Sequence, residues 1–322
     1  MAITAAVALD LSGPTRLQSR DAACGLELWA AREGVDLEIV DVAGSAARAV
    51  AAYEAWVREG VRLLLGPYGS GLVRRVVATV PPDVLLWNHG GSHDDVARRG
   101  APMVVAPAST YFGPLVSHAA AVGCDELTVV CGGGRFARTV AAGAVAAAEA
   151  ASLAVEVIEL DSFDTGPGRL QAVLAVGRFE DDVAVVARLV GRERPRLVGC
   201  VAAGIPAFAD AAGDDAEGVL GPTQWWPDGT DADVGPTAVE FAAAYTRRHS
   251  ATPSYVAAQA AAAGYLAFAA AERSFTAETL PSWSTSTLLG RFQVDGAGRQ
   301  LAHRATMGRW SHGRFERVPP PR

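Results

Sequence analysis

The chain has 322 residues, of which half are hydrophobic and a fifth are charged, and its formal net charge is −7. This length fits two domains of ordinary size, each with its own core. The mild acidity argues against nucleic-acid binding, which depends on clustered basic residues. Lysine is absent, which excludes Schiff-base chemistry and a lysine-dependent phosphate loop.

The first hundred residues alternate short apolar runs with Ala-rich segments that have helical spacing. We predict strands at residues 3–9 and 37–42, each followed by a helix. Two further apolar runs, at residues 63–65 and 84–87, end in turns rich in glycine and polar side chains. Near-continuous apolar strands separated by helices predict a parallel sheet that is covered on both faces.

After Pro107 the same alternation begins again, so the fold class is α/β with two successive series of strands and helices. We predict helices at residues 109–122, 136–150, 169–176, 182–190, 237–249 and 255–274, strands at 103–106, 127–131, 155–160, 197–201 and 289–294, and a closing hairpin of 304–310 with 314–318.

Glycine and polar residues follow two neighbouring apolar runs, at residues 66–71 and 88–92. In an open α/β sheet, ligands bind beyond the carboxyl ends of the strands, so adjacent strands would bring these two turns together. Ser70 lies where the helix after the first turn should begin. It either caps that helix only or binds an anion or carboxylate together with the free N–H groups of the helix start.

Residues 132–137 (GGGRFA) follow a predicted strand, open a helix and satisfy the dinucleotide-binding pattern G-x-G-x-x-A. Glu159 and Asp161 lie at the next strand end, near the spacing of a ribose-binding acid. An Ala- and Gly-rich chain produces this pattern easily. A tight strand-to-helix turn is therefore the favoured interpretation, and nucleotide binding is the alternative.

His89 and His93 stand beside two aspartates and raise the question of a metal site. Metal-binding histidines four residues apart need a continuous helix, whereas two glycines separate this pair. Ligand contact or an acid-rich helix start explains the same residues better. We expect neither a metal nor a cofactor.

Trp87, Trp225 and Trp226 lie at predicted strand ends or in loops, not on helix faces. Aromatic side chains in such places either close a core or form the apolar wall of a small-molecule pocket. Both interpretations stay open.

Several motifs occur in a particular order along the chain. They are LDLSGP at 9–14, LGPYGSG at 65–71, the turn at 86–92, FAAAY at 241–245, PSYVAAQA at 253–260, GRF at 290–292 and WSHGRF at 310–315. Their order and spacing resemble the type I solute-binding proteins of ABC transporters, in the branch that binds leucine, isoleucine, valine and amides. The resemblance covers nearly the whole chain.

The resemblance implies two doubly wound parallel-sheet lobes joined by a three-segment hinge. Residues 1–107 and 228–300 would form a ligand-anchoring lobe, and residues 108–227 and 301–322 a closing lobe. A ligand would bind in the cleft between them, and hinge closure would enclose it.

The resemblance also implies site residues. Family members hold a ligand carboxylate at the turn that Gly69 and Ser70 match, and they use a second turn and an aromatic of the other lobe. With the neighbouring side chains at these strand ends, the predicted ligand-binding residues are Tyr68, Gly69, Ser70, Trp87, Asn88, His89, Gly90, Gly91, Ser92, Phe136, Gly204, Ile205, Thr223, Gln224 and Trp225. None is expected to be catalytic.

Two departures from the family bear on the ligand. Amino-acid binders hold the ligand ammonium with an acid near the position of Thr223 or Gln224, and this chain has no acid there. Trp87-Asn88 also replaces the usual serine-proline of the second turn. An amide, a carboxylate or an aromatic acid therefore fits at least as well as an α-amino acid.

We predict a non-enzymatic protein that captures a small carboxylate, amide or amino-acid-like ligand for an ABC transporter permease. One alternative is a cytosolic ligand sensor that acts on a regulatory protein, and a second is a dinucleotide-dependent oxidoreductase that uses residues 132–137. No segment approaches the roughly 18 apolar residues that span a bilayer. With no leader at its start, the chain is expected to be cytoplasmic as written, or exported or lipid-anchored if a leader was removed.

Overall fold

The computed structural model of the chain describes residues 3–164, 170–189 and 194–320. It divides into two compact units. Unit 1 consists of Met1–Pro107 and Gln224–His303, and unit 2 consists of Ala108–Thr223 and Arg304–Arg322. Of the predicted segments, residues 1–2, 165–169, 190–193 and 321–322 lie outside the described residues.

The boundaries between the units differ slightly from the predicted ones. The chain returns to unit 1 after Thr223, not after residue 227, and leaves it after His303, not after residue 300. The side chains give the reason for the earlier return. Gln224 Oε1 accepts a hydrogen bond from Ala106 N–H at 2.6 Å, and Trp225 Nε1–H donates to Leu288 O at 2.9 Å, so both residues bond within unit 1.

The elements follow one another in strict alternation over the first part of the chain. Up to Pro107 they are β1 (Thr4–Leu9), α1 (Arg16–Glu33), β2 (Asp36–Asp41), α2 (Ala46–Glu59), β3 (Leu63–Leu65), α3 (Ser70–Val77) and β4 (Leu86–Trp87).

Unit 2 repeats this alternation. From Ala108 to Thr223 the elements are α4 (Gly113–Ala121), β5 (Glu126–Cys131), α5 (Arg135–Ala150), β6 (Ala154–Glu159), β7 (Ala172–Val176), α6 (Phe179–Arg188), β8 (Leu197–Cys200), the 3₁₀ helix Ala202–Gly204, α7 (Ala207–Ala212) and β9 (Leu220–Thr223).

The rest of the chain completes both units. Unit 1 receives α8 (Ala238–His249), α9 (Tyr255–Glu272), β10 (Thr285–Thr287) and β11 (Gly290–Phe292), and unit 2 receives β12 (Thr306–Ser311) and β13 (Arg314–Arg317).

Ordinary capping chemistry sets many of the helix ends. Ser45 Oγ accepts a hydrogen bond from Arg48 N–H at the start of α2, and Thr237 forms a capping box with Glu240 at the start of α8. Gly34, with φ +67°, ends α1 in the left-handed conformation that glycine adopts without strain.

The main sheet of unit 1 has the order β2-β1-β3-β4 and is parallel throughout. Every residue of β3 is buried, as are five of the six in β1, so the prediction of a sheet covered on both faces is confirmed. The order reverses between β1 and β3. The loops after these strands therefore flank the place where ligands of such sheets bind.

Helix α9 is apolar nearly all round and buried along most of its length, and it packs against α1 and β3. Gly25 of α1 lies directly on the backbone of Ala257, so that a methyl group at Gly25 would overlap the Ala257 carbonyl. Gly264 lies on the Trp29 ring in the same way. These contacts fix the register of α1 against α9.

The sheet of unit 2 has the order β13-β12-β9-β8-β7-β5-β6. Strands β5 to β9 pair in parallel, whereas β12 is antiparallel to both β9 and β13. The closing hairpin predicted from residues 304–318 is therefore confirmed. Here the order reverses between β5 and β7.

One predicted helix is wrong. Residues 169–176 were expected to be helical, but Ala172–Val176 is strand β7, between β5 and β8, with all five residues buried. A central strand is apolar on both faces and therefore lacks the alternation that identifies a half-exposed strand. A short apolar run of this kind cannot be told from a buried helix by periodicity.

Two predicted strands also differ in the structure. Residues 103–106 form no regular strand, and Met103 makes only an isolated bridge with Asn88. Residues 289–294 contain strand β11, which pairs with β10 in a small antiparallel hairpin. Among the helices of the described residues, none combines the length and apolar character needed to cross a membrane.

Candidate functional site

The first turn, residues 66–71, connects β3 to α3 and leaves the start of that helix open. Gly69 precedes the helix with φ +94°, which favours glycine. The first intrahelical bond runs from Val73 N–H to Gly69 O at 3.1 Å, so the N–H groups before it have no intrahelical acceptor. Within the described residues no side chain caps this end, and no acid lies in its first helical turn. The first turn of α3 therefore contributes no acid that would offset the positive end of the helix dipole.

Ser70, the first residue of α3, supplies a hydroxyl at this helix start. Its Oγ accepts a hydrogen bond from His93 N–H at 3.0 Å, which ties the first turn to the segment after β4. A hydroxyl has two acceptor positions and one hydrogen, so this bond leaves the hydrogen of Ser70 available to a ligand oxygen. The geometry favours an acceptor on the ligand.

The second turn, residues 88–92, is shaped by the Asn88 side chain. Its Oδ1 accepts hydrogen bonds from Gly91 N–H at 2.7 Å and Gly90 N–H at 3.3 Å, and its Nδ2 donates to Gly91 O at 2.8 Å. Asn88 is fully buried. Asn88 was predicted to contact the ligand, but its carboxamide forms these hydrogen bonds with the backbone of its own turn.

The two turns lie against each other, as the sheet argument predicts. Gly66 N–H donates to Trp87 O at 2.8 Å, and Gly69 N–H donates to Gly90 O at 2.9 Å. A methyl group at Gly90 would lie 2.5 Å from Tyr68 Cα, closer than real side-chain contacts allow. Glycine at this position is therefore a packing requirement.

His89 and Ser92 are buried within the second turn. Neither ring nitrogen of His89 has a hydrogen-bond partner among the described residues. Burial lowers the pKa of His89 to about 4, and the nearby backbone of Gly66 and of His89 itself acts in the opposite direction. The imidazole is therefore neutral at neutral pH. The described residues contain no cluster of His, Cys, Asp and Glu that could hold a metal.

The tryptophans predicted near the site lie in the core of unit 1. The Trp87 ring is 5.8 Å from that of Phe292 and 6.5 Å from that of Trp283, and Trp87 is 1 % exposed. Trp225 packs edge-on against Phe241 at 5.9 Å. These contacts give both side chains a structural role, and their contact with a ligand stays a prediction.

Gln224 and Thr223 lie at the second crossing between the units and are both buried. Gln224 Oε1 accepts the Ala106 N–H, and Thr223 O accepts a hydrogen bond from Thr306 Oγ1 at 3.3 Å. Neither residue supplies a negative charge.

In unit 2 the loops after β5 and β7 meet at the reversal of strand order. Gly132 N–H donates to Val176 O at 2.7 Å, and Gly134, with φ +106°, leads into α5. Phe136 is partly buried and meets Tyr111 edge-on at 5.9 Å. Sequence reasoning missed Tyr111, because no pattern connects it with an aromatic 25 residues later.

Gly204 and Ile205 belong to the segment that follows β8, and a buried acid holds this segment. Asp182 Oδ2 accepts a hydrogen bond from Ala202 N–H at 2.8 Å, while its Oδ1 has no partner among the described residues. Burial raises the pKa of Asp182 to about 8 despite hydrogen bonds from neighbouring backbone. Sequence reasoning missed this residue; an acid on the buried face of an amphipathic helix was the available signal.

The comparisons with known proteins agree with this architecture. A family model described as periplasmic binding protein matches residues 2–177. No curated protein matches the sequence.

Solved structures match nearly the whole chain at low identity. The leucine-binding protein LivK of Thermotoga maritima has a TM-score of 0.80 at 15% identity, with 99% of this chain and 98% of that one covered. LivJ of Streptococcus pneumoniae, solved with isoleucine, has a TM-score of 0.79 at 17% identity over 99% and 100% of the two chains.

A third similar structure is a solute-binding protein of an ABC transporter from R. palustris in complex with benzoate. Its TM-score is 0.77 at 15% identity, with 99% of this chain and 96% of that one covered. Likeness at this identity establishes the fold of two α/β lobes. The ligands of these three proteins differ in whether they carry an ammonium group.

Proposed function

Because this chain belongs to the periplasmic binding protein family, we propose that it is a non-enzymatic binding protein for a small solute with a carboxylate or amide oxygen. The first turn of unit 1 anchors that oxygen. Unit 2 supplies the remaining contacts through residues such as Phe136, Gly204 and Ile205, and hinge closure encloses the ligand. The solute then passes to the permease of an ABC transporter.

One observation carries the proposal: the start of α3 offers hydrogen-bond donors, and its first turn contains no acid. The helix start presents N–H groups that have no intrahelical acceptor, and the Ser70 hydroxyl still has its hydrogen after bonding to His93 N–H. The neighbouring His89 is neutral. Donors at the positive end of a helix bind a carboxylate or an amide oxygen in preference to an ammonium group.

The ligand class follows from the rest of the site. The structures similar to this one include proteins solved with isoleucine and with benzoate. An α-amino acid brings an ammonium group that needs an acid, and Thr223 and Gln224 provide none. Carboxylic acids without an amino group, and amides, are therefore the preferred candidates.

The oxidoreductase alternative finds no support in the family assignment. Residues 132–134 form the turn between β5 and α5, as the favoured interpretation of that motif predicted. Gly132 serves close packing, since it lies against Gly177 and Val176, whereas Gly134 serves the turn through its positive φ of +106°.

A thermal-shift panel tests the proposal. It should contain benzoate, L-leucine, an aliphatic amide and NAD. A compound at about 100 times its dissociation constant should stabilise the protein by roughly 2.7 kcal/mol. We expect benzoate or the amide to raise the melting temperature more than L-leucine, and NAD to leave it unchanged. Stabilisation by NAD alone would overturn the proposal.

Ser70→Ala provides the matched variant, with Ser117→Ala as control, because Ser117 is an exposed serine of α4 in unit 2. Ser70→Ala should remove most of the ligand-induced shift while it changes the melting temperature of the unliganded protein little. Equal ligand shifts in both variants would reject Ser70 as an anchor.

A further inference from the structure

The chain passes between the two units at three places, and unit 1 contributes a short segment to each. We call these the crossing segments: residues 102–107, which leave unit 1, residues 224–225, which return to it, and residues 300–303, which leave it again. A buried glutamine lies in the second segment and another in the third, Gln224 and Gln300. Buried carboxamides need hydrogen-bond partners, and the partners of both glutamines lead to the first crossing segment.

Gln224 fastens the second crossing segment to the first. Its Oε1 accepts a hydrogen bond from Ala106 N–H at 2.6 Å. The next residue, Trp225, donates from its Nε1–H to Leu288 O at 2.9 Å, also within unit 1. The second segment is therefore bonded both to the first segment and to the body of unit 1.

Gln300 fastens the third crossing segment to the first. Its Nε2 donates to Val104 O at 3.3 Å. Its Oε1 accepts hydrogen bonds from three backbone N–H groups, at 3.0 to 3.3 Å: those of Gln293, Ala302 and His303. The reverse orientation of the carboxamide would set its NH₂ group against three donors, so these partners fix which end faces Val104.

The first crossing segment also carries the second turn of the candidate site. Val104 N–H donates to Asn88 O at 2.9 Å, and Asn88 N–H donates to Pro102 O at 3.0 Å. Asn88 is the residue whose side chain shapes that turn. The segment to which both glutamines are bonded is thus bonded in turn to the candidate site.

We propose that Gln224 and Gln300 are positioning residues of the hinge, which hold the second and third crossing segments against the first so that the three bend as one group. This inference rests on the proposed function, because closure on a ligand is part of it. A hinge with fewer accessible arrangements loses less conformational entropy when a ligand binds. Loss of one of these links should therefore weaken binding roughly fivefold.

The first test needs no ligand and uses amide hydrogen exchange measured by NMR. Gln300→Leu removes the link to Val104 but leaves the acceptor of Ala106 N–H, which is Gln224 Oε1, in place. If the segments act as one group, Ala106 N–H should exchange roughly fivefold faster in this variant. Gln224→Leu gives the reciprocal measurement, and it should accelerate exchange of Ala302 N–H.

Gln259→Leu is the matched control. Gln259 is another buried glutamine of unit 1, in helix α9, and its Oε1 has no partner among the described residues. This variant should leave both exchange rates unchanged. Acceleration confined to the amides that each glutamine bonds directly would show two local roles and would overturn the inference.

The second test measures affinity for benzoate and for L-leucine by calorimetry. Gln300→Leu should weaken binding of the compound that the unaltered protein binds, and Gln224→Leu should add little in the Gln300→Leu background. Losses that add in full would show that the two glutamines act independently and would contradict the joint role. If neither compound binds the unaltered protein, the proposed function fails for these ligands, while the exchange rates still decide whether the crossing segments are linked.

Discussion

The two units hold the segments at their strand ends by different chemistry. In unit 1 the second turn depends on a neutral carboxamide, that of Asn88, which bonds to the backbone of Gly90 and Gly91. In unit 2 the segment after β8 depends on the carboxyl group of Asp182, which bonds to Ala202 N–H. A carboxamide has the same hydrogen-bonding groups at every pH, whereas a carboxyl group gains or loses a donor.

A buried titrating group of each unit, His89 in unit 1 and Asp182 in unit 2, makes stability respond to pH in opposite directions. Burial raises the folded-state pKa of Asp182 to about 8 from an ordinary value of 3.8, so stability falls as pH rises between these values. In unit 1 burial lowers the folded-state pKa of His89 to about 4 from an ordinary value of 6.5. The stability that the neutral His89 contributes is therefore lost as pH falls between these two values.

The largest expected effect tests the Asn88 carboxamide, the neutral group that supports the second turn of unit 1. Asn88→Ala leaves the N–H and C=O groups of Gly91 without their side-chain partners in a buried turn. At about 1–3 kcal/mol for each unsatisfied group, we expect a loss of about 3 kcal/mol in the free energy of unfolding. Urea denaturation measures this loss, and hydrogen exchange of residues 86–93 localises it.

Gln171→Ala is the matched control, because Gln171 Oε1 also accepts a backbone hydrogen bond, from Asp125 N–H at 2.8 Å, but in an exposed place in unit 2. This control should cost well under half as much. If both variants lost the same stability, the Asn88 carboxamide would not be the principal support of the turn.

A smaller effect tests the acid in unit 2. Asp182→Asn removes the ionisable group but retains an oxygen that can accept the Ala202 N–H. Between pH 5 and pH 6 the unaltered protein should lose up to about 1.4 kcal/mol of stability from this residue, and the variant should lose less. Melting temperatures across this range give the comparison.

Asp214→Asn makes the same change of charge at an exposed position of unit 2 and serves as the control. Its pH dependence should follow that of the unaltered protein. Parallel curves for Asp182→Asn and the unaltered protein would show that Asp182 ionises no differently in the folded and unfolded chain, and the contrast between the units would fail.

The smallest effect concerns an ion pair at the surface of unit 1. Arg74 of α3 makes two contacts with Asp95, at 2.7 and 3.1 Å, and both side chains are about one-third exposed. Partly exposed pairs contribute roughly 0.2–1 kcal/mol, so Arg74→Gln should cost under 1 kcal/mol in urea denaturation. A loss as large as that of Asn88→Ala would mean that surface charge, and not the buried carboxamide, holds the second turn.

Much of the fold could be predicted because its causes are local. Apolar runs, helical spacing and glycine-rich turns indicated the alternation of strands and helices and the parallel sheets. The exception was β7, whose five buried residues carry no local sign that distinguishes strand from helix. This segment is a strand because it pairs with β5 and β8 in the sheet of unit 2.

The candidate site was predictable to a lesser degree. Adjacent parallel strands brought the turns at residues 66–71 and 88–92 together, as expected from chain order. Pattern did not distinguish side chains that face a ligand from those that support the turn. Asn88 bonds to its own turn, Trp87 packs into a core, and Asp182 supports a segment twenty residues away in sequence.

The sequence by itself determined the α/β class, the strand-end turns and the residues that open α3, because these depend on propensity and on neighbours within a few positions. Only the tertiary structure decided which polar groups pair. Ser254 and Asp21 are separated by 233 positions in the chain and by 2.6 Å in space. Hydrogen-bond partners depend on the final packing of α1, α9 and β3, and short-range pattern carries no information about that packing.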